Sequence, residues 1–169
     1  MSESVRRPSE LSHVVEGAHG AQSHMVDVGE KAVTARRALA RARVRFPAGA
    51  LARVLAGAGP KGPVTEVARV AGILAAKRTA EWIPMCHTLP LDSVTIEFAQ
   101  LADDVLEVRC EARCQARTGV EMEAMVGASA AALTVYDMTK ALGHGIAIER
   151  VELLEKQGGR SGHWRRDEA

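Results

Sequence analysis

Residues 124–135, AMVGASAAALTV, carry no charge and consist largely of small side chains. A helix made of Ala, Gly and Ser leaves its backbone nearly bare, so another helix can approach it closely. The run is too short to cross a bilayer, so it marks the inside of a folded core. The spacing predicts a helix over about 120–142, opened after Gly119 and ended by Gly143 and Gly145.

The segments around this helix set its partners. TARRALARARVRF at residues 34–46 alternates arginine with small or apolar residues at several positions, as a half-buried strand does, although Ala, Leu and Arg also favour helix. After Pro47 comes a short helical pattern ending in glycines, and Pro63 stands at the first position of a second helix running to about Trp82. Val64, Val67, Ala71, Leu74 and Ala75 form its expected packing stripe against a sheet. Pro84 and Pro90 bracket the stiffened connection MCHTL. SVTIEFAQL and VLEVRCEARCQA then read as two strands joined by a polar turn at Ala102, Asp103 and Asp104. IAIERVELLEK reads as a last strand.

The order strand, helix, strand, strand, helix, strand predicts an α+β, ferredoxin-like βαββαβ fold: an antiparallel sheet with helices on one face, plus an extra N-terminal segment and short helix. With 169 residues, 47% of them hydrophobic, one core is expected. The domain is placed at 23–162, between mobile tails at 1–22 and 163–169 whose composition lacks periodicity. A net charge of +1 provides no overall basic field, so neither nucleic acid nor membrane is an expected partner. Three cysteines without disulfide or zinc spacing, and no apolar block of a secretion signal near the start, fit a soluble chain in a reducing cytoplasm.

Residues 57–62, GAGPKG, match the dinucleotide-binding glycine pattern, yet a helix rather than a strand is expected before them, so a hinge between helices is the simpler reading. Lys61 and the N–H groups at the start of the next helix could hold a phosphate. His87, beside Cys86 in the proline-bracketed loop, is either an acid, base or phosphate contact or a histidine satisfied by local hydrogen bonds. Asp137 and Lys140, three apart, share a helix face and are either an exposed ion pair or a partly buried pair that tunes proton affinity. Glu121 and Glu123 are explained already by the helix dipole. Lys156 and Arg160 are either solvated charges or a lid bringing cations to an anion. No cysteine and histidine spacing closes a metal coordination set, and no stoichiometric zinc or iron is expected.

Five segments, HMVDVGEKAVTAR, KGPVTEVARVAGILAAKRTAEWIPMCHTLPL, TGVEMEA, ALTVYDMTKA and LLEKQGGRSG, resemble in order and spacing the cyclic pyranopterin monophosphate synthases, also called molybdenum cofactor biosynthesis protein C. The resemblance runs from His24 to Gly162. Met85, Thr88 and Thr139 depart from the family's common Leu, Pro and Cys. It implies a cytoplasmic enzyme, with no cofactor, that turns 3′,8-cyclo-7,8-dihydroguanosine 5′-triphosphate into a tricyclic pterin and diphosphate. It also implies a homohexamer, a trimer of dimers with active sites at protomer interfaces.

Carried over by motif, Asp137, Lys61 and Lys140 are the expected catalytic residues. Met85, Cys86 and His87, with Met122 and Glu123, are the expected substrate-binding segments, and Asp27, Lys31, Arg36, Glu121 and Lys156 are further members of the pocket wall. Such residue types suit a reaction with several proton transfers and a triphosphate to neutralise. Because Lys61 lies at a hinge far in sequence from the helix of Asp137, it is expected to complete the pocket of a neighbouring chain. A nucleotide-binding oxidoreductase using GAGPKG and a non-catalytic ferredoxin-like RNA-binding or regulatory module are the alternatives. The scarcity of aromatics opposes RNA stacking.

Overall fold

A computed structural model describes residues 14–17, 20–57, 59–160 and 162–167. Two short strands, β1 (Val14–Gly17) and β2 (Gly20–Ser23), pair with each other. The main sheet contains β3 (Thr34–Arg45), β4 (Ser93–Ala102), β5 (Val105–Ala116), β6 (Ala147–Gln157) and β7 (His163–Arg165), in the antiparallel order β4-β5-β3-β6-β7. The helices are α1 (Ala50–Leu55), α2 (Val64–Ala76), α3 (Thr79–Trp82) and α4 (Glu121–Thr139), the last continued by a 3₁₀ turn at Lys140–Leu142. With α2 after β3 and α4 after β5, this is the expected ferredoxin-like arrangement, extended by β7 on one edge.

The alternation in β3 works as its sequence suggests. Ala38, Ala40, Ala42 and Val44 point into the core, where the three alanines leave room for α4. The arginines between them lie on the opposite face and pair across strands: Arg37 with Glu111 at 2.6 Å, Arg41 with Glu152 at 2.6 Å and Arg45 with Asp104 at 2.7 Å. Glu107 lies buried beneath Arg41, Arg43 and Arg109. A carboxylate on the open side of a sheet thus becomes buried under the stems of the cations that neutralise it.

The packing of α2 departs from expectation. Its buried face is Val64, Ala68, Gly72, Ala75 and Ala76, whereas Val67, Val70 and Leu74 are exposed. The small residues at 68, 72 and 76 form the seam against α4. A methyl group added at Gly72 would lie 2.9 Å from the Gly127 carbonyl oxygen and from Ile96. One added at Gly127 would lie 2.6 Å from the Cys110 sulfur. The helix also stops at Ala76 rather than running to Trp82. Arg78 N–H donates to the Ala75 carbonyl, and the buried Thr79 hydroxyl takes the Ala76 carbonyl at 2.9 Å, so the chain turns before α3.

At the termini the structure adds order that the composition does not signal. Residues 14–17 and 20–23 pair as strands, all but residue 23 within the segment expected to be a tail, and residues 163–165 pair with β6. Residues 1–13, 18, 19, 168 and 169 of the expected tails lie outside the described residues. No helix among the described residues is long and apolar enough to cross a membrane.

Candidate active site

The turn at residues 59–62 follows α1, with Gly62 at φ 92°, and it brings Lys61 to the C-terminal end of α4 because α2 lies along that helix. Lys61 Nζ donates to Asp137 Oδ2 at 2.7 Å, and Lys140 Nζ lies 2.7 Å from Asp137 Oδ1. One carboxylate therefore bridges two ammonium groups, with its side chain 55% exposed. The hydrogen bond from Lys140, then that from Lys61, hold the Asp137 carboxyl down at about 2, while Asp137 raises Lys140 above the usual lysine range. Lys61 and Asp137 meet within one chain, where the sequence led to Lys61 being expected against a neighbour's Asp137 cluster. The distance in sequence is closed by the α2–α4 seam.

Beside this cluster lies an apolar hollow of about 390 Å³, walled by Leu74, Trp82 and Leu133 and bordered by Asp137. Each of these three large side chains is about half exposed. The GAGPKG turn has a helix before it and an antiparallel sheet beneath, which removes the context that a dinucleotide turn requires.

The remaining sequence-identified residues gather at the other end of α4. A groove of about 610 Å³ is lined by Lys31, Arg36, Arg117, Lys156 and Arg160, with Glu30, Glu121, Thr118 and Gly119 among its walls. It shares Lys31, Thr118, Gly119 and Glu121 with a second hollow of about 320 Å³, lined by Met85, Cys86, His87, Met122 and Glu123. The Glu121 carboxylate folds over Gly119, where a side chain would collide with it, and accepts from Lys156 Nζ at 3.1 Å. Arg36 Nε donates to the Ala116 carbonyl at 3.3 Å, and a terminal nitrogen donates to the Arg117 carbonyl at 3.4 Å.

Met85, Cys86 and His87 follow α3 in the proline-bracketed loop and reach the hollow half-buried. Burial, then the charge of Glu123, pushes the Cys86 thiol up, so it is poorly suited to act as a thiolate nucleophile. Glu123 itself is buried, and loss of water pushes its carboxyl up to about 7, aided by Glu121. Thr88 is exposed on the far side of the loop. Thr139 is buried, with its hydroxyl donating to the Val135 carbonyl at 2.6 Å, so the departure from Cys is accommodated within α4.

Asp27 is the one expected wall residue that does not line this space. Its Oδ1 accepts from Gly29 N–H at 2.7 Å and closes a local turn, while Val26 and Val28 line the hollow. Arg117 was not singled out by the sequence reading. It directly precedes the TGVEMEA segment, and that adjacency was the available signal.

From Glu121 to Asp137 is sixteen residues of continuous helix, which separates the two clusters by about 24 Å along α4. The cluster of Asp137 and two lysines and the cation-lined groove are therefore two assemblies on one protomer.

Comparison with known proteins bears out the resemblance read from the motifs. The sequence profile of the MoaC family matches residues 25–159. A protein of Chloroflexus aurantiacus named cyclic pyranopterin monophosphate synthase is 51% identical over 159 residues, covering 94% of this chain and 96% of its own. Proteins of the same name from Chloroflexus aggregans and Thermomicrobium roseum are each 50% identical over 161 residues, 95% of this chain, and 96% and 95% of their own. With the ferredoxin-like sheet in place and agreement at half of all positions over nearly the full length, the chain belongs to the MoaC family.

Proposed function

We propose that this chain converts 3′,8-cyclo-7,8-dihydroguanosine 5′-triphosphate into cyclic pyranopterin monophosphate, releasing diphosphate. The observation that carries this reading is the groove itself: Lys31, Arg36, Arg117, Lys156 and Arg160 converge at the start of α4, beside a hollow with a histidine and two carboxylates. Five cations suit a triphosphate better than any neutral ligand, and they stabilise charge that moves onto diphosphate as it leaves. His87 and the flanking Met85 and Cys86 hold the base-derived part of the substrate. The names of the relatives support the same assignment.

Lys61 and Lys140 supply protons and positive charge. Asp137 stays ionised at neutral pH, so its part is to orient the two ammonium groups rather than to donate a proton. No single nucleotide-sized molecule spans about 24 Å of helix, so the lysine cluster of one protomer acts on substrate held in the groove of another. The apolar hollow at Leu74, Trp82 and Leu133 beside Asp137 supports protein contact at this place. The homohexamer, a trimer of dimers with shared pockets, is part of this proposal, as is a cytoplasmic setting.

The test is to incubate the purified protein with the cyclised dihydro-GTP and follow diphosphate and the pterin chromophore. Formation of both is expected. Intact substrate after prolonged incubation refutes the assignment.

A further inference from the structure

Glu123 is 4% exposed, yet it forms a wall of two separate spaces. On one side is the hollow that contains Met85, Cys86 and His87. On the other is a small cavity of about 70 Å³ between the end of α2, α3 and the histidine loop. A cavity needs only about 10–15 Å³ of such volume to admit a water molecule. Exposed Lys77, Arg78, Glu81 and Thr88 line this small cavity, so it leads outward, away from the groove.

We propose that Glu123 is a proton relay between bound substrate and solvent, working through this rear cavity. The inference rests on the proposed reaction and assigns Glu123 a role beyond holding substrate. In one cycle the carboxylate accepts a proton from the substrate and becomes the neutral acid. It then passes the proton to water in the rear cavity and returns to carboxylate, so charge and atoms balance.

The chemical setting favours this residue over the other two carboxyl groups of the proposed reaction centre. Glu121 is engaged by Lys156, and Asp137 by two lysines. The groups around Glu123 are Glu121 on its own helix, Cys86 and His87 on the loop, Cys114 on β5, and Lys77, Arg78 and Glu81 across the rear cavity. Burial dominates among them and brings the carboxyl to about 7, where it can gain and lose a proton at comparable cost.

The experiment compares wild type with Glu123→Gln, which keeps the shape and removes the titration, and with Ala80→Leu, which fills the rear cavity without entering the groove. For Glu123→Gln, kcat is expected to fall at least about thirtyfold with KM within about threefold, and a limb of the kcat–pH profile near 7 should vanish. Glu123→Asp should restore part of kcat and the limb. For Ala80→Leu, kcat should fall several-fold with a larger solvent deuterium isotope effect and unchanged KM.

A readout independent of turnover accompanies these. A carboxyl raised in the folded state makes stability fall as pH rises from about 4.5 to 7, so the thermal midpoint of wild type should decline relative to Glu123→Gln across that window. A rise in KM alone, a wild-type pH profile in Glu123→Gln, normal kcat in Ala80→Leu, or a constant difference in midpoint overturns the relay. Absence of turnover by wild type instead refutes the proposed reaction, which keeps the two failures distinct.

Discussion

Lys61 and Asp137 stand 76 positions apart in sequence and 2.7 Å apart in space. The contact depends on the α2–α4 seam, which sets the turn before α2 against the last turns of α4. It places three charged groups in a fixed arrangement on an open surface, where an exposed ion pair contributes little to folding. In the proposed reaction their arrangement presents two ammonium groups to the substrate.

Replacing Asp137 should therefore affect chemistry rather than folding. Asp137→Asn is expected to remain folded, in the same assembly state as wild type, with product formation reduced at least about a hundredfold. The sign of its pH dependence follows from the depressed carboxyl: the pairing is complete above about 4 and is lost only as pH falls through about 2. Asp137 should thus contribute no limb to the activity profile between pH 5 and 9. Circular dichroism, size analysis and a pH–rate profile check this, and retained turnover would remove Asp137 from the site.

Mixing experiments separate the two clusters. Lys61→Ala and Asp137→Asn, dissociated and reassembled together, should give no recovery, since both changes damage the same cluster. Asp137→Asn mixed with His87→Ala should recover roughly a quarter of wild-type activity if randomly formed pairs each contain two shared pockets. Recovery in the first mixture, or none in the second despite hybrids seen by mass spectrometry, would contradict a pocket built from two protomers.

The turn after β6 offers a controlled test of Arg36. Gly159 and Gly162 both have left-handed backbone, with φ 71° and 63°, but a methyl group at Gly159 would meet the Arg36 guanidinium, whereas at Gly162 nothing lies within 4 Å. Both alanine variants carry the same backbone cost of about 1–2 kcal/mol. Only Gly159→Ala should move Arg36, raising KM about tenfold against about twofold or less for Gly162→Ala. In an Arg36→Ala background the difference should disappear, as steady-state kinetics will read.

The seam itself can be overfilled. Gly72→Ala should destabilise by about 1–3 kcal/mol, because the new methyl group meets the backbone carbonyl oxygen of Gly127 at 2.9 Å, which cannot swing aside as the end of the Ile96 side chain can. Urea unfolding provides the measurement, and an unchanged midpoint would mean that the helices separate more readily than their packing indicates.

Much of this architecture was legible because periodicity and punctuation agree. The arginine alternation in β3, the acidic turn at Asp103 and Asp104 and the glycines after α4 each mark an element that the structure contains. The packing stripe expected for α2 is right at Val64 and Ala75 but wrong at Val67 and Leu74, because helical spacing alone does not say which of two adjacent faces lies against α4. In this helix Ala68, Gly72 and Ala76 are buried because close approach requires small residues, and the larger Val67, Val70 and Leu74 face outward. The strand at His163–Arg165 has three residues and no alternation to reveal it, and exists because β6 offers an edge. For the candidate site, the residues marked by the motifs around His87, Glu121 and Lys156 line two adjoining hollows. They could not separate that group from Asp137, because sequence spacing gives no direction along a helix shared by both.

With the pocket shared between protomers as proposed, that helix makes catalytic output a gauge of assembly. If the two clusters are halves of one reaction centre, as proposed, a rigid rod with one half at each end keeps them apart in its own chain and lets them meet only when chains pair. An isolated protomer would be folded, able to collect substrate and chemically silent. Specific activity would then fall on dilution below the dissociation constant of the assembly, while the circular dichroism of each chain stayed constant.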